Sequence, residues 1–168
     1  TDNTDIIGSP FIVMERKHGI VLDTKFPEDI QPTEELCRRI SEEMVDTLVD
    51  LHSIDYKETG LVGMVKPEGF IERQVNGWVG RYERCRTDDV KGIEELMKWL
   101  GEHIPVSQEP TILHYDYKVN NVMFDFDLEK IVGVFDWEMS TAGDPLADVA
   151  STLVHWIQAE EVEELERR

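Results

Sequence analysis

Apolar residues follow two different rhythms along this chain. From Thr33 to His52, Leu36, Ile40, Met44, Leu48 and Leu51 recur at spacings of three and four. That period predicts an amphipathic helix with Thr33 as its N-cap and Glu35 in its first turn. Upstream, residues 1–10 are polar and turn-like, and the β-branched and aromatic run "FIVME" (Phe11 to Glu15) predicts a strand closed by a turn at His18-Gly19. A helix is expected from about Gly77, with Trp78, Tyr82 and Cys85 on one stripe. Another is expected through Ile93, Leu96, Met97 and Leu100, broken by Gly101 and Pro105. Two short apolar runs, Val122 to Phe124 and Ile131 to Phe135, predict a hairpin with its turn near Asp127 to Glu129. Pro145 after Asp144 opens a further helix. The order strand, helices, hairpin, helices implies an α+β domain that is mostly helical.

The polar positions around the hairpin carry the candidate chemistry. His114, Asp116, Lys118 and Asn121 lie just before its first strand, and Asp136 follows its second. A hairpin brings its outer ends together, so Asn121 and Asp136 are expected side by side. A carboxamide oxygen and a carboxylate suit Mg²⁺, which takes few protein ligands and completes its shell with phosphates and water. Asp116 is placed to take a proton from an attacking hydroxyl, and Lys118 to reach a transferred phosphoryl group. An Asp base, an Asn ligand and a later Asp ligand are the parts of kinase-type phosphoryl transfer.

Composition narrows the setting. With 168 residues and 40% hydrophobic content the chain fits one domain with a real core. No apolar run approaches the roughly 20 residues of a membrane span, and no signal-peptide pattern opens it. Cys37 and Cys85 lack metal-ligand spacing and read as small buried apolar residues of a reduced, cytoplasmic protein. A formal charge of −19 argues against nucleic-acid or anionic-membrane partners. An anionic cosubstrate would need local neutralisation by a metal ion or a few placed cations.

"HYDYKVNN" (His114 to Asn121) fits the kinase catalytic-loop pattern of His, Asp, Lys and Asn at every defined position. "FDWEMSTAGDPLADVA" lacks the Asp-Phe-Gly of protein kinases and resembles the aminoglycoside phosphotransferase-like family, in the branch with kinase domains fused to acyl-CoA dehydrogenases. "FIVMERKHG" resembles that family's hinge and "LVDLHSID" the end of its first large C-lobe helix. The resemblance implies a protein-kinase-like C-terminal lobe over residues 1–168, with a hinge strand and linker at 11–19 and a catalytic-loop hairpin. It implies ATP and Mg²⁺ as cofactors and a hydroxylated small molecule as substrate. Asp116 would be the base and Asn121 and Asp136 the metal ligands, while Met14, Glu15 and Arg16 would hold adenine. His114 would brace the loop, and Asp148 would tie the following helix to it. Tyr115 departs from the Gly that many relatives carry.

The glycine-rich loop, phosphate-gripping Lys and Glu partner of an N-terminal lobe are not found before Phe11. The chain opens with Thr1 and stops at "EEVEELERR", within a helical pattern, which suggests a C-lobe piece of a longer protein. Individual residues have plainer readings. Asp125 and Asp127 read as turn residues, Asp144 and Glu138 as capping or bracing groups, and His52 and His155 as packing residues. His18 and His103 read as solvated, and Trp78, Trp99 and Trp156 as core ahead of cleft wall. Three functions stay open: a small-molecule kinase, a non-catalytic pseudokinase-like binding module, and a metal-dependent hydrolase.

Overall fold

The structure is a computed structural model and describes residues 2–23 and 25–156, so the pattern at "EEVEELERR" lies outside the described residues. Helix α1 spans Glu34–His52, and the Thr33 hydroxyl accepts from the Leu36 amide at 3.2 Å to cap it. Its buried stripe is Ile40, Glu43, Met44 and Leu48. Helix α2 covers Phe70–Cys85 and α3 covers Ile93–Glu102. Strands β1 (Thr111–Leu113), β2 (Val122–Phe124), β3 (Ile131–Val134) and β4 (Thr141–Gly143) follow, then helix α4 over Pro145–Leu153. The domain is mostly helical α+β, as its sequence pattern implies.

Two small antiparallel ladders organise the functional end. β2 pairs with β3, Val122 opposite Val134, which is the expected hairpin. β1 pairs with β4, Thr111 opposite Gly143 and Leu113 opposite Thr141. This second ladder was not predicted, because Thr141–Gly143 carries no apolar run and its partner lies far away in sequence. Met44 and Leu48 of α1 pack with Tyr117, Val122, Phe124 and Leu128 in the core beneath the hairpin. Burying one such side chain contributes about 1.5–3 kcal/mol, so the hairpin is fixed by its apolar faces and not by its few ladder bonds.

Glu43 completes that junction. It lies in the apolar stripe of α1, and its carboxylate accepts from the Ile131 amide at 2.9 Å and from Lys130 Nζ at 2.7 Å. Gly19 is a second fixed point. The paired amides and carbonyls of Ile20 and Phe124 meet at 2.8 Å, and a Cβ on Gly19 would stand 2.0 Å from the Phe124 carbonyl oxygen.

Several expectations are corrected. Phe11 to Glu15 do not form a strand: residues 11–18 join no ladder among the described residues, and Ile12, Val13 and Met14 are 81%, 83% and 72% exposed. β-propensity expresses packing against neighbouring strands, and no described strand pairs with this segment. Helix α2 starts at Phe70, not near Gly77, because Phe70 buries itself against Gly143 and anchors an earlier turn. Cys37 and Cys85 are exposed thiols, not buried ones. Trp78, Trp99 and Trp156 are not core residues, being 56%, 54% and 39% exposed. Trp78 and Trp99 lie on exposed helix flanks, and Trp99 stacks on His103 at 4.5 Å.

Candidate active site

β1 leads directly into residues 114–121, and β3 leads into Phe135 and Asp136, so the two ladders deliver their outgoing loops to one place. Asp116 is the centre of that place. Lys118 Nζ lies 2.8–2.9 Å from its carboxylate oxygens, and Asn121 Nδ2 donates to its Oδ2 at 2.8 Å and to its backbone carbonyl at 2.9 Å. Burial pushes the Asp116 carboxyl up, but the hydrogen bonds from Lys118 and Asn121, then the Lys118 charge, outweigh it. The net effect holds Asp116 below the usual carboxylate value. It is therefore a carboxylate near neutral pH, able to accept a hydrogen bond from a hydroxyl.

His114 is fully buried and has two partners. One ring nitrogen, Nδ1, accepts from the Asp116 amide at 3.2 Å, and Nε2 lies 2.7 Å from the Phe135 carbonyl oxygen. An amide can only donate and a carbonyl only accept, so the partners assign the proton to Nε2. Asn121 adds a second link between the same loops, because its carbonyl accepts from the Phe135 amide at 2.8 Å.

Asp148, at the start of α4, is 0% exposed. Its Oδ2 accepts from the His114 amide at 2.9 Å and lies 3.1 Å from His52 Nε2, and its Oδ1 accepts from the Tyr115 amide at 2.8 Å. The amides on either side of the Tyr115 Cα are thus both engaged, its own by Asp148 and that of Asp116 by His114. Tyr115 has φ +66°, a left-handed conformation that costs a non-glycine residue about 1–2 kcal/mol. Asp144 caps α4 through the Leu146 amide at 2.9 Å and also accepts from the Gln108 amide at 3.0 Å.

Asn121 and Asp136 carry the candidate oxygen donors. With Nδ2 engaged by Asp116, no described residue donates to Asn121 Oδ1, and that atom is not sealed from solvent. Asp136 is exposed at φ +66°, and no hydrogen bond among the described residues engages its carboxylate. Two unspent hard oxygen groups at adjoining loops fit a divalent cation such as Mg²⁺. Among the described residues no cluster of three His, Cys, Asp or Glu could hold a metal, which sets the site apart from a multidentate protein cage.

Of the residues singled out in the sequence, the fold gathers His114, Asp116, Lys118, Asn121 and Asp148 into one hydrogen-bonded network. Asp136 stands beside it through Phe135. Among the described residues no hydrogen bond or ion pair ties Met14, Glu15 or Arg16 to this cluster; Glu15 pairs with Lys17 at 2.9 Å. Two supporting residues escaped the sequence reading. Tyr117 is buried and donates to the Met44 carbonyl at 2.9 Å, and Glu43 holds the hairpin as described above. Glu43 had a legible signal, since an acid inside an apolar stripe calls for a partner.

A catalytic-type loop entering a hairpin, with an Asp leaving it and a helix pinned behind, defines the C-terminal lobe of a kinase-like fold. The chain belongs to the phosphotransferase enzyme family (APH), whose family model matches residues 1–168. It is 34% identical over 157 residues to acyl-CoA dehydrogenase family member 10 of Mus musculus, covering 93% of this chain and 14% of that protein. It is also 34% identical over 150 residues to acyl-CoA dehydrogenase family member 11 of Gallus gallus, covering 88% of this chain and 19% of that protein. A crystal structure from Ralstonia eutropha, assigned to the aminoglycoside phosphotransferases, superposes with a TM-score of 0.81 at 30% identity. That match covers 94% of this chain and 48% of the other. The chain therefore spans a small part of the dehydrogenase relatives and about half of the bacterial one.

Proposed function

We propose that this chain carries the base and metal-ligand half of an ATP- and Mg²⁺-dependent phosphotransferase acting on a small-molecule hydroxyl. The observation that carries the reading is the Asp116–Asn121 pair: one carboxamide orients the carboxylate at 2.8 Å and keeps its own oxygen unspent beside the loop of Asp136. Family membership and the Ralstonia structure support the same class of reaction.

In this reading the acceptor hydroxyl donates to Asp116. Its oxygen forms a bond to the γ-phosphorus of ATP as the bond from that phosphorus to the bridging oxygen of ADP breaks. The hydroxyl proton passes to Asp116, and the products are a phosphate ester and ADP. Because its affinity for protons is lowered, Asp116 orients the hydroxyl from the outset and takes the proton late. Lys118, already on Asp116, supplies positive charge next to the incoming phosphoryl group. Asn121 and Asp136 would hold Mg²⁺, which when bound supplies neutralisation of phosphate charge. His114 and Asp148 keep the two loops in register. Met14 to Arg16 would line the adenine side, and an N-terminal lobe would complete the phosphate clamp.

The acceptor side is a cavity of about 500 Å³ between α2, the catalytic loop and α4. Ile71, Val75, Trp78, Tyr115, Met139 and Val154 supply much of its wall, and no carboxylate of the described residues lines it. This lining favours an acceptor with an apolar face, such as a hydroxyacyl thioester or another metabolite, over a polycationic aminoglycoside-like one. No described helix is long and apolar enough to cross a membrane, and we place the reaction in the cytoplasm.

The test is Mg²⁺-dependent ATP consumption by the full-length protein against a panel of hydroxylated acceptors, with the phosphate ester identified by mass spectrometry. Asp116→Ala should abolish turnover and leave nucleotide binding largely intact. Nucleotide binding without turnover on any acceptor would make the protein a non-catalytic binding module. Phosphate release with no ester formed would make it a hydrolase.

A further inference from the structure

Tyr115 combines three features that are independent of one another. Its backbone is left-handed although it has a bulky side chain, a conformation that glycine adopts freely and that persists elsewhere only when surrounding contacts impose it. Those contacts are present: its amide donates to Asp148 at 2.8 Å and its carbonyl accepts from Ser151 Oγ at 3.2 Å. Its ring meets Phe70 edge-on, centroids 5.7 Å apart at 71°, and also lines the acceptor cavity one residue before Asp116. Phe70 is itself immobile, being 4% exposed and seated where a Cβ on Gly143 would come within 2.6 Å of its ring. A fixed aromatic side chain therefore stands in the cavity wall, on the residue that precedes Asp116 in the chain.

We propose that Tyr115 is the specificity-determining residue of the acceptor cavity, its ring limiting the bulk that can stand beside the hydroxyl to be phosphorylated. The proposal rests on the phosphotransferase reading and assigns the residue that sorts acceptors within it. A tyrosine kept for stability alone would not occupy a conformation that glycine relieves. The Phe70 contact makes the ring a rigid stop, so a substrate clashing with it cannot be accommodated by rotation of the side chain.

The experiment compares wild type, Tyr115→Phe and Tyr115→Gly in the full-length protein, using secondary alcohols graded by bulk next to the hydroxyl. Tyr115→Gly should raise kcat/KM for the bulkiest acceptor relative to the smallest by about tenfold or more, the range that pocket-wall changes command. Tyr115→Phe, which keeps the ring, should retain the wild-type ranking. A uniform loss across all acceptors in Tyr115→Gly would overturn the proposal, since a purely structural residue lowers every acceptor alike. Binding of the same alcohols, followed by the fluorescence of Trp78 in the cavity wall, separates the two failures. If wild type phosphorylates none of them, the phosphotransferase reading falls, and the ranking of dissociation constants decides the role of Tyr115. A ranking changed by Tyr115→Gly upholds that role, and an unchanged one ends it.

Discussion

The imidazole of His114 joins Asp116 to Phe135, accepting from the Asp116 amide at 3.2 Å and meeting the Phe135 carbonyl at 2.7 Å. The ring thereby bridges the loop that carries Asp116 and the loop that carries Asp136. Replacement by Phe keeps an aromatic ring, somewhat larger than imidazole, and removes both hydrogen bonds. His114→Phe should cost about 1–3 kcal/mol of stability, the penalty for leaving a buried polar group unpaired. Urea unfolding measures that cost. Turnover under native conditions should fall further than the unfolded fraction explains, because among the described residues only the Asn121–Phe135 hydrogen bond then ties the two loops.

Asp148 serves the same loop from behind, with two backbone amides and His52 Nε2 around one fully buried carboxylate. Asp148→Ala leaves both amides unpaired and removes what holds Tyr115 in its left-handed conformation. A loss of about 3–5 kcal/mol is expected from denaturant titration. Asp148→Asn retains one acceptor oxygen but turns an amide N–H toward another N–H, so it should lose less, about 1–3 kcal/mol. Equal losses in the two variants would mean that only one of the two amide bonds matters.

The legibility of these features in the sequence was uneven, for physical reasons. Helix α1 and the hairpin were readable because their apolar periods are long enough, or their flanking turn residues strong enough, to stand out from chance. The loop residues were readable because His114, Asp116, Lys118, Asn121 and Asp136 fall at spacings set by backbone geometry. The β1–β4 ladder was not, since Thr141–Gly143 carries no apolar run and its partner lies far away in sequence. "FIVME" misled for the converse reason, a propensity with no strand paired to it among the described residues. The cysteines and tryptophans misled because residue type gives only an average burial. The left-handed backbone of Tyr115 was beyond sequence patterns, which register a positive φ only through glycine or Asn.

Lys118 offers a pH test of the site. Its hydrogen bond and charge both lower the Asp116 value. With Lys118→Met those effects vanish, the Asp116 pKa rises, and a higher pH is needed to keep the carboxylate ionised. The acid limb of kcat/KM should therefore move to higher pH in the variant. For the same reason the Asp116 contribution to stability is present above the unfolded carboxylate range and is lost as pH falls through the lower folded value. Lys118→Met should reduce that contribution. An acid limb that does not move would assign it to another group.

Tyr117 links the catalytic loop to α1, its hydroxyl donating to the Met44 carbonyl at 2.9 Å while its ring packs in the core. Burial, with Glu43 and Asp148 adding negative charge nearby, pushes its phenol well above the usual value, so the hydroxyl stays a donor throughout the physiological range. Tyr117→Phe keeps the packing and removes one buried hydrogen bond. The expected loss is about 0.5–1.5 kcal/mol by thermal or urea unfolding, with turnover reduced only slightly.

Asp136 gives the sharpest separation of stability from function. It is exposed, left-handed at φ +66°, and not hydrogen-bonded through its carboxylate among the described residues. Glycine adopts that conformation without steric cost, which favours the folded state of Asp136→Gly. Glycine also adds freedom to the unfolded chain, which offsets the gain by about 0.5–1 kcal/mol. The two effects nearly cancel, because Asp tolerates the left-handed region better than most residues, so stability should change by less than about 1 kcal/mol. Turnover should nevertheless be lost at ordinary Mg²⁺ concentrations. Partial recovery at high Mg²⁺ would be the mark of a weakened metal site in which Asn121 still supplies its oxygen. A variant that loses activity at every Mg²⁺ concentration while keeping Mg²⁺ affinity, measured calorimetrically in the presence of nucleotide, would remove Asp136 from the ligand set.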